Sequence, residues 1–277
     1  MAASGPSQSV QERREAQREA LRKQRQAELS RQRTVRIVVI AVISVIALLL
    51  LSIAGYYVYK ATRPAGPIAS PAGMSEDQTY LSFGAPEGSG KPVLEIHLDF
   101  MCPVCGQFEQ LNGEDLQTIV EDEEATVHIV PRRFLDPQST TGDYSSRAAS
   151  TFVAIYEQDP AAAWTFQQLL FQNQPAEGSA GLTDDQLWSY AQEAGADESA
   201  KDAVDSKKYM PWVRKVAEPY AADKASGTPY VEIDGTQFET WNEQGALRKA
   251  VLEAGGSSAS DAGGASDAGG ASDGGQG

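Results

Sequence analysis

Cysteine and histidine are scarce in this chain, with two of each among 277 residues. Exported domains that rely on disulfide staples usually carry several cysteines, so a stapled scaffold is excluded. No charged residue occurs from Ile37 to Tyr59, and an apolar stretch of that length with no polar face is not an ordinary core helix. Basic residues are few beyond Arg36: of 23 Lys and Arg against 38 Asp and Glu, nine and four respectively lie up to Arg36, leaving 14 against 34 for the remainder. A surface of that sign attracts neither nucleic acid nor anionic lipid. After Leu252 there is no apolar residue larger than alanine. That tail cannot bury a core, and residues 256–277, where Ser260-Asp261-Ala262-Gly263-Gly264-Ala265 repeats from Ser266, are expected to be disordered.

Ile37 to Tyr59 is long enough to cross a bilayer as one helix, with Tyr56, Tyr57 and Tyr59 at its outer end. A cleaved signal peptide has a shorter apolar core and a small-residue cleavage site directly after it, which this segment lacks. The basic tail, residues 1–36, is expected to stay cytoplasmic by the positive-inside rule, placing everything after the 37–59 transmembrane helix outside. Residues 60–91, rich in Pro, Gly, Ala and Ser, read as a linker with a short edge strand at 78–83.

Residues 92–255 form the expected folded domain, large enough to bury a core without staples. Val93 to Phe100 reads as a strand, Pro103 to Asp122 as a helix bent at Asn112-Gly113, and Ala125 to Phe134 as a second strand. Helical spacing dominates about 143–225, with apolar periods at 148–156, 161–171, 184–194 and 210–222. Tyr230 to Ile233, the Asp234-Gly235 turn and Thr236 to Glu239 make a hairpin, and Trp241 to Leu252 a closing helix. This order predicts an α/β thioredoxin-like fold with an inserted helical domain, preceded by one transmembrane helix.

Both cysteines sit where the first strand gives way to the helix, as Cys102-Pro103-Val104-Cys105. A disulfide spanning two residues closes too small a loop to remove much chain entropy, so the pair points to chemistry rather than structure. At a helix N-terminus the dipole and unpaired N–H groups favour the thiolate, the form that attacks disulfides. Pro103 fits the first turn, where its missing N–H costs nothing.

From Gly90 to Leu252 the chain resembles the DsbA-like thioredoxin family, most of all its membrane-anchored, actinobacterial-type branch. The resemblance rests on Asp99-Phe100-Met101-Cys102-Pro103-Val104-Cys105-Gly106-Gln107-Phe108-Glu109, then Phe134-Leu135-Asp136, Tyr144 to Ala149, Gln174-Pro175 and Gly227-Thr228-Pro229 in family order. It implies a protein disulfide oxidoreductase with Cys102 attacking and Cys105 resolving, modulated by Pro103 and Val104. No cofactor is implied beyond the redox-active disulfide. It further implies that Thr228-Pro229 is cis and lies against the pair as a substrate-docking loop. The partners implied are unfolded exported proteins with thiols and a membrane quinone-linked reoxidant, and the most favoured direction is oxidation.

Two departures qualify the match. Val104 stands where strongly oxidising members have histidine, so a less oxidising potential is expected. Ile96 stands where some relatives have a buried glutamate, leaving open whether Glu95 or Asp99 moves protons for Cys105. Reductase or isomerase activity of the same fold is the nearest alternative, and a non-enzymatic peptide-binding chaperone or assembly factor is the alternative of another class. A zinc site of His97, His128, Cys102 and Cys105 has enough ligands but leaves Pro103 and the Thr-Pro loop unexplained. Trp164, Trp188, Trp212 and Trp241 read as core, and Glu121 to Glu124 as a solvated helix end.

Overall fold

The computed structural model describes residues 7–62, 68–72, 74 and 78–264. The chain divides into one unit up to residue 66 and another from residue 67 onward. The described residues of the first unit form one helix, α1 (Ser7–Thr62), so the basic stretch from Ser7 to Arg36 and the apolar run share one continuous element. From Leu21 to Tyr56 it is long and apolar enough to cross a membrane. Its large apolar side chains are exposed, Ile37 at 67% and Leu51 at 68%.

The second unit is built on five strands: β1 (Leu81–Gly84), β2 (Val93–Leu98), β3 (Thr126–Pro131), β4 (Tyr230–Ile233) and β5 (Thr236–Gln237). They lie in the order β1-β3-β2-β4-β5, with β2 and β3 parallel and every other pairing antiparallel. Helix α2 (Pro103–Glu121) connects the parallel pair. Between β3 and β4 the predicted helical insertion comprises α3 (Tyr144–Gln158), α4 (Pro160–Gln172), α5 (Asp184–Glu193), α6 (Lys201–Asp205), α7 (Met210–Trp212), a π-helical turn at Val213–Ala217 and α8 (Glu218–Lys224). Helix α9 (Ala246–Gly264) closes the domain.

Local chemistry sets these boundaries. Asp159 accepts hydrogen bonds from the Ala161 and Ala162 N–H groups, and Pro160 opens α4. Thr183 and Gln186 form a reciprocal capping box on α5. At the hairpin, Asp234 and Gly235 both have positive φ (48° and 76°), as a two-residue turn matched to strand twist requires. Asp234 also accepts the Val93 N–H at 2.8 Å, which anchors the start of β2. The core gathers Phe83, Phe100, Phe108, Phe152 and Phe166 with β2 and β3. Trp164, Trp188 and Trp212 are buried in it, while Trp241 packs edge-on against Phe108.

Several details depart from the sequence reading. Helix α2 runs unbroken through Asn112-Gly113, because Asn112 is buried and its amide donates to the carbonyls of Phe108 and Trp241. Part of the linker packs on the domain: Ile68, Met74 and Tyr80 are half-buried on the core, and the Ala72 N–H donates to Glu157. Glu124 is not simply solvated but pairs with Arg248 of α9 at 2.6 Å. Helix α9 extends past Leu252 into the first Ser-Asp-Ala-Gly-Gly unit, where disorder was expected from residue 256. Leu247 and Val251, fully buried, hold the nucleated helix, and adding residues to a formed helix avoids the nucleation cost. The tail from residue 265 lies outside the described residues.

Candidate active site

Strand β2 delivers the chain to the start of α2, and Cys102 is the residue that caps it. Pro103 occupies the first turn, no side chain caps the helix, and the first turn holds no acidic residue. Its N–H groups are therefore free to face a sulfur. The Cys102 N–H donates to the Asp99 carbonyl at 3.0 Å, and the Cys102 carbonyl accepts the Gly106 N–H at 3.1 Å.

The two thiols, both free, differ in environment. Cys102 retains 6% of its surface in solvent and Cys105 none, so only the first is open to attack. A hydrogen bond with the Cys105 thiol, the Thr228 side chain and the N–H groups of Cys105 and Val104 outweigh burial and pull the Cys102 thiol down to about 6. Burial, reinforced by the adjoining Cys102, pushes the Cys105 thiol well above the ordinary range. Val104 is 40% exposed, so its side chain adds an apolar edge beside Cys102 while its backbone N–H faces the sulfur.

The Thr228–Pro229 bond is cis, and the loop lies at the Cys102 sulfur. The Cys102 thiol donates to the Thr228 carbonyl at 3.5 Å. On ionisation that carbonyl loses its partner, but the Thr228 hydroxyl is buried and otherwise unpartnered, free to turn toward the thiolate. The sequence reading named Thr228 for its backbone and missed this donor.

Of the two carboxyls left open by the sequence, Asp99 adjoins the cysteines. Burial raises it to about 6, although it accepts hydrogen bonds from the N–H groups of Leu135 and Met101 and the hydroxyl of Ser145, and the Cys102 charge adds to the rise. Cys105 lies against the Asp99 backbone. Glu95 is engaged elsewhere. Burial opposes its ionisation, yet hydrogen bonds with His128, His97, Lys224 and Tyr220 hold it well below the usual carboxylate range. His97 meets Glu95 and His128 meets Glu87, each at 2.7 Å. Among the described residues no three His, Cys, Asp or Glu side chains gather as metal ligands.

Gln174, beyond α4, is a second missed contributor. Its amide donates to the Cys102 carbonyl at 2.8 Å and the Phe100 carbonyl at 3.3 Å. A Cβ at position 106 would fall 2.4 Å from its Oε1, so Gly106 is what lets the amide reach the active-site turn. The recurrence of Gln174-Pro175 in family order was its only sequence signal. Beside Pro103, a groove of about 820 Å³ follows α2 and is lined by Gln110, Gln117, Gln168 and Phe171. Glu109 borders it, raised to about 7 by burial.

A strand, a thiol at a helix start that keeps a little solvent contact, a fully buried partner and a cis-proline loop against the sulfur are a thioredoxin-fold redox site, and the thioredoxin family model matches residues 77–253. The chain belongs to this family. Within it, the chain is similar to DsbA-like disulfide oxidoreductases. It is 29% identical to the oxidised DsbA of Mycobacterium tuberculosis, covering 66% of this chain and 99% of that one with a TM-score of 0.57. The reduced disulfide bond oxidoreductase DsbG of the same organism aligns with 28% identity and a TM-score of 0.56 over 65% of this chain and 92% of its own. Among curated proteins, the serine/threonine-protein kinase PknE of M. tuberculosis is 30% identical over 167 residues, 57% of this chain. The chain spans only 29% of that kinase's length.

Proposed function

We propose that this is a membrane-anchored, extracytoplasmic oxidase that introduces disulfides into exported proteins through Cys102 and Cys105. The observation that carries the proposal is the placing of the pair: Cys102 at the start of α2 keeps 6% of its surface in solvent and meets the cis Thr228-Pro229 loop at its sulfur, with Cys105 wholly shielded behind it. A substrate thiolate attacks Sγ of Cys102 in the Cys102–Cys105 disulfide. The Cys102–Cys105 bond breaks, a mixed disulfide forms at Cys102, and Cys105 leaves with two electrons and takes a proton. A second substrate thiolate then attacks the mixed disulfide, releasing Cys102 as the thiolate its surroundings favour. The substrate has lost two electrons and gained a disulfide, and the protein is left as the dithiol.

Unfolded exported polypeptides are the substrates in this reading, docking along the Thr228-Pro229 loop. A membrane quinone-linked partner takes the electrons, with α1 holding the domain on the outer side. Val104 in place of histidine sets a potential less oxidising than that of the strongest oxidases.

Thiol-alkylation gel shifts on the full chain in cells test the direction. A pair found oxidised supports the oxidase, and a pair found reduced favours reductase or isomerase activity. A Cys105→Ser variant should trap substrates on Cys102. If Cys102→Ser leaves both adducts and phenotype unchanged, the domain is a peptide-binding chaperone or assembly factor and not an exchanger.

A further inference from the structure

Arg132 follows the last residue of β3, and its side chain is 2% exposed. Its N–H donates to the Leu98 carbonyl at 2.7 Å, which places it beside the end of β2, where the chain leaves for Cys102. A buried guanidinium needs acceptors for its donors, and here they come from one region of the fold. Nη1 donates to the carbonyls of Ala225 and Gly227, at 3.0 and 3.1 Å. Nη2 and Nε donate to the two carboxylate oxygens of Glu218, at 2.7 and 3.4 Å. Glu218 opens α8 and also accepts the Arg133 N–H at 3.0 Å. One side chain thus ties the end of β3 to both ends of the segment from α8 to the loop. Gly227 is followed directly by Thr228, whose carbonyl reaches the Cys102 sulfur.

We propose that Arg132 is the positioning residue of the substrate-docking edge: its guanidinium holds the backbone of residues 225–227 so that the segment after it presents a fixed edge beside Cys102. The inference rests on the proposed use of the Thr228-Pro229 loop for docking. Arg132 does not touch the sulfurs and takes no part in electron transfer. It acts on how a polypeptide is seated. A planar fork with donors on three nitrogens can serve two carbonyls and a carboxylate at once, whereas the compact ammonium of lysine cannot span them. Arg132→Lys therefore keeps the charge opposite Glu218 and releases the loop carbonyls.

The test compares two electron donors on the oxidised, detergent-solubilised full chain. Dithiothreitol needs only the sulfur, and reduced, unfolded ribonuclease needs the edge as well. Arg132→Lys should raise KM for ribonuclease about tenfold or more with kcat little changed. The dithiothreitol rate and the pH midpoint of Cys102 alkylation should stay within about twofold and 0.3 pH units of wild type, by the linkage of small pKa changes to small energies. An unchanged ribonuclease KM overturns the proposal, and so does an equal loss with both donors, which would place Arg132 in service of the sulfur or the fold at large. If Arg132→Lys does not fold, Glu218→Gln decides: the carboxylate that steadies the fork is neutralised, and KM for ribonuclease should still rise with the dithiothreitol rate intact, whereas no rise overturns the proposal. A wild-type chain that reacts with dithiothreitol but never with ribonuclease removes the docking reading itself, and this inference with it.

Discussion

Removing the Cys105 thiol is the most direct probe of what makes Cys102 reactive. The Cys102 thiol is lowered from 9.0 to about 6, and the first cause is the hydrogen bond from Cys105. A hydrogen bond to a charged group contributes about 1.5–3 kcal/mol. At about 1.4 kcal/mol per pKa unit, losing it in Cys105→Ala should move the Cys102 midpoint up by about one to two pH units. The Thr228 hydroxyl and the first-turn N–H groups remain, so the midpoint should stay below that of an ordinary cysteine. The assay is the pH dependence of iodoacetamide alkylation, with thiolate absorbance near 240 nm as a check. In the reduced wild type a midpoint near 6 makes Cys102 roughly nine-tenths ionised at pH 7 and one-tenth at pH 5, so the rate should rise about tenfold between them. In Cys105→Ala the steep part of the curve should move to about pH 7–8. A wild-type midpoint near 9, or an alanine variant that titrates like wild type, would refute the claim that the buried thiol tunes the exposed one.

The same shift has a stability consequence. Cys102 is depressed in the fold, so its ionisation stabilises the reduced protein fully above the unfolded value near 9, and that stabilisation is lost as pH falls through about 6. Its ceiling is about 4 kcal/mol, less what solvent at the sulfur screens. Denaturant titrations should show the reduced form losing stability relative to the disulfide form from pH 9 to pH 6, and parallel curves would contradict this. Asp99→Asn offers one acceptor oxygen where the carboxylate serves three donors, orphaning at least one buried N–H. It should cost about 1–3 kcal/mol in both redox forms, measured by urea denaturation, and an unchanged midpoint would show these bonds to be dispensable. Gly106→Ala should displace the Gln174 amide and so mimic Gln174→Ala, each losing about 1 kcal/mol, with the double variant no worse than either. Additive losses would show that the two residues act independently.

Local chemistry made much of the domain readable. Pro103 at the start of a helical run, directly after a strand, placed Cys102 at the helix start, and a helix terminus exposes its N–H groups whatever surrounds it. The period of apolar residues located the insertion helices, and Asp234-Gly235 placed the hairpin. Boundaries were harder. The final helix outran its apolar pattern because a helix already anchored by Leu247 and Val251 can be extended by residues with nothing to bury.

The sequence alone determined that two thiols would share a helix start, that an apolar run long enough to span a bilayer precedes them, and that the chain has no cysteines beyond this pair with which to staple itself. The tertiary structure decided which distant groups meet those thiols. Thr228 comes from 126 residues away and Gln174 from 72, and Arg132 reaches loop carbonyls 93 and 95 residues further along. It also placed the two carboxyls, drawing Glu95 into a cluster with His97, His128, Lys224 and Tyr220 and leaving Asp99 beside the pair. Propensity, capping and periodicity act over a few residues. The ionisation of a buried group depends on every dipole and charge within a few ångströms, and only packing says which those are.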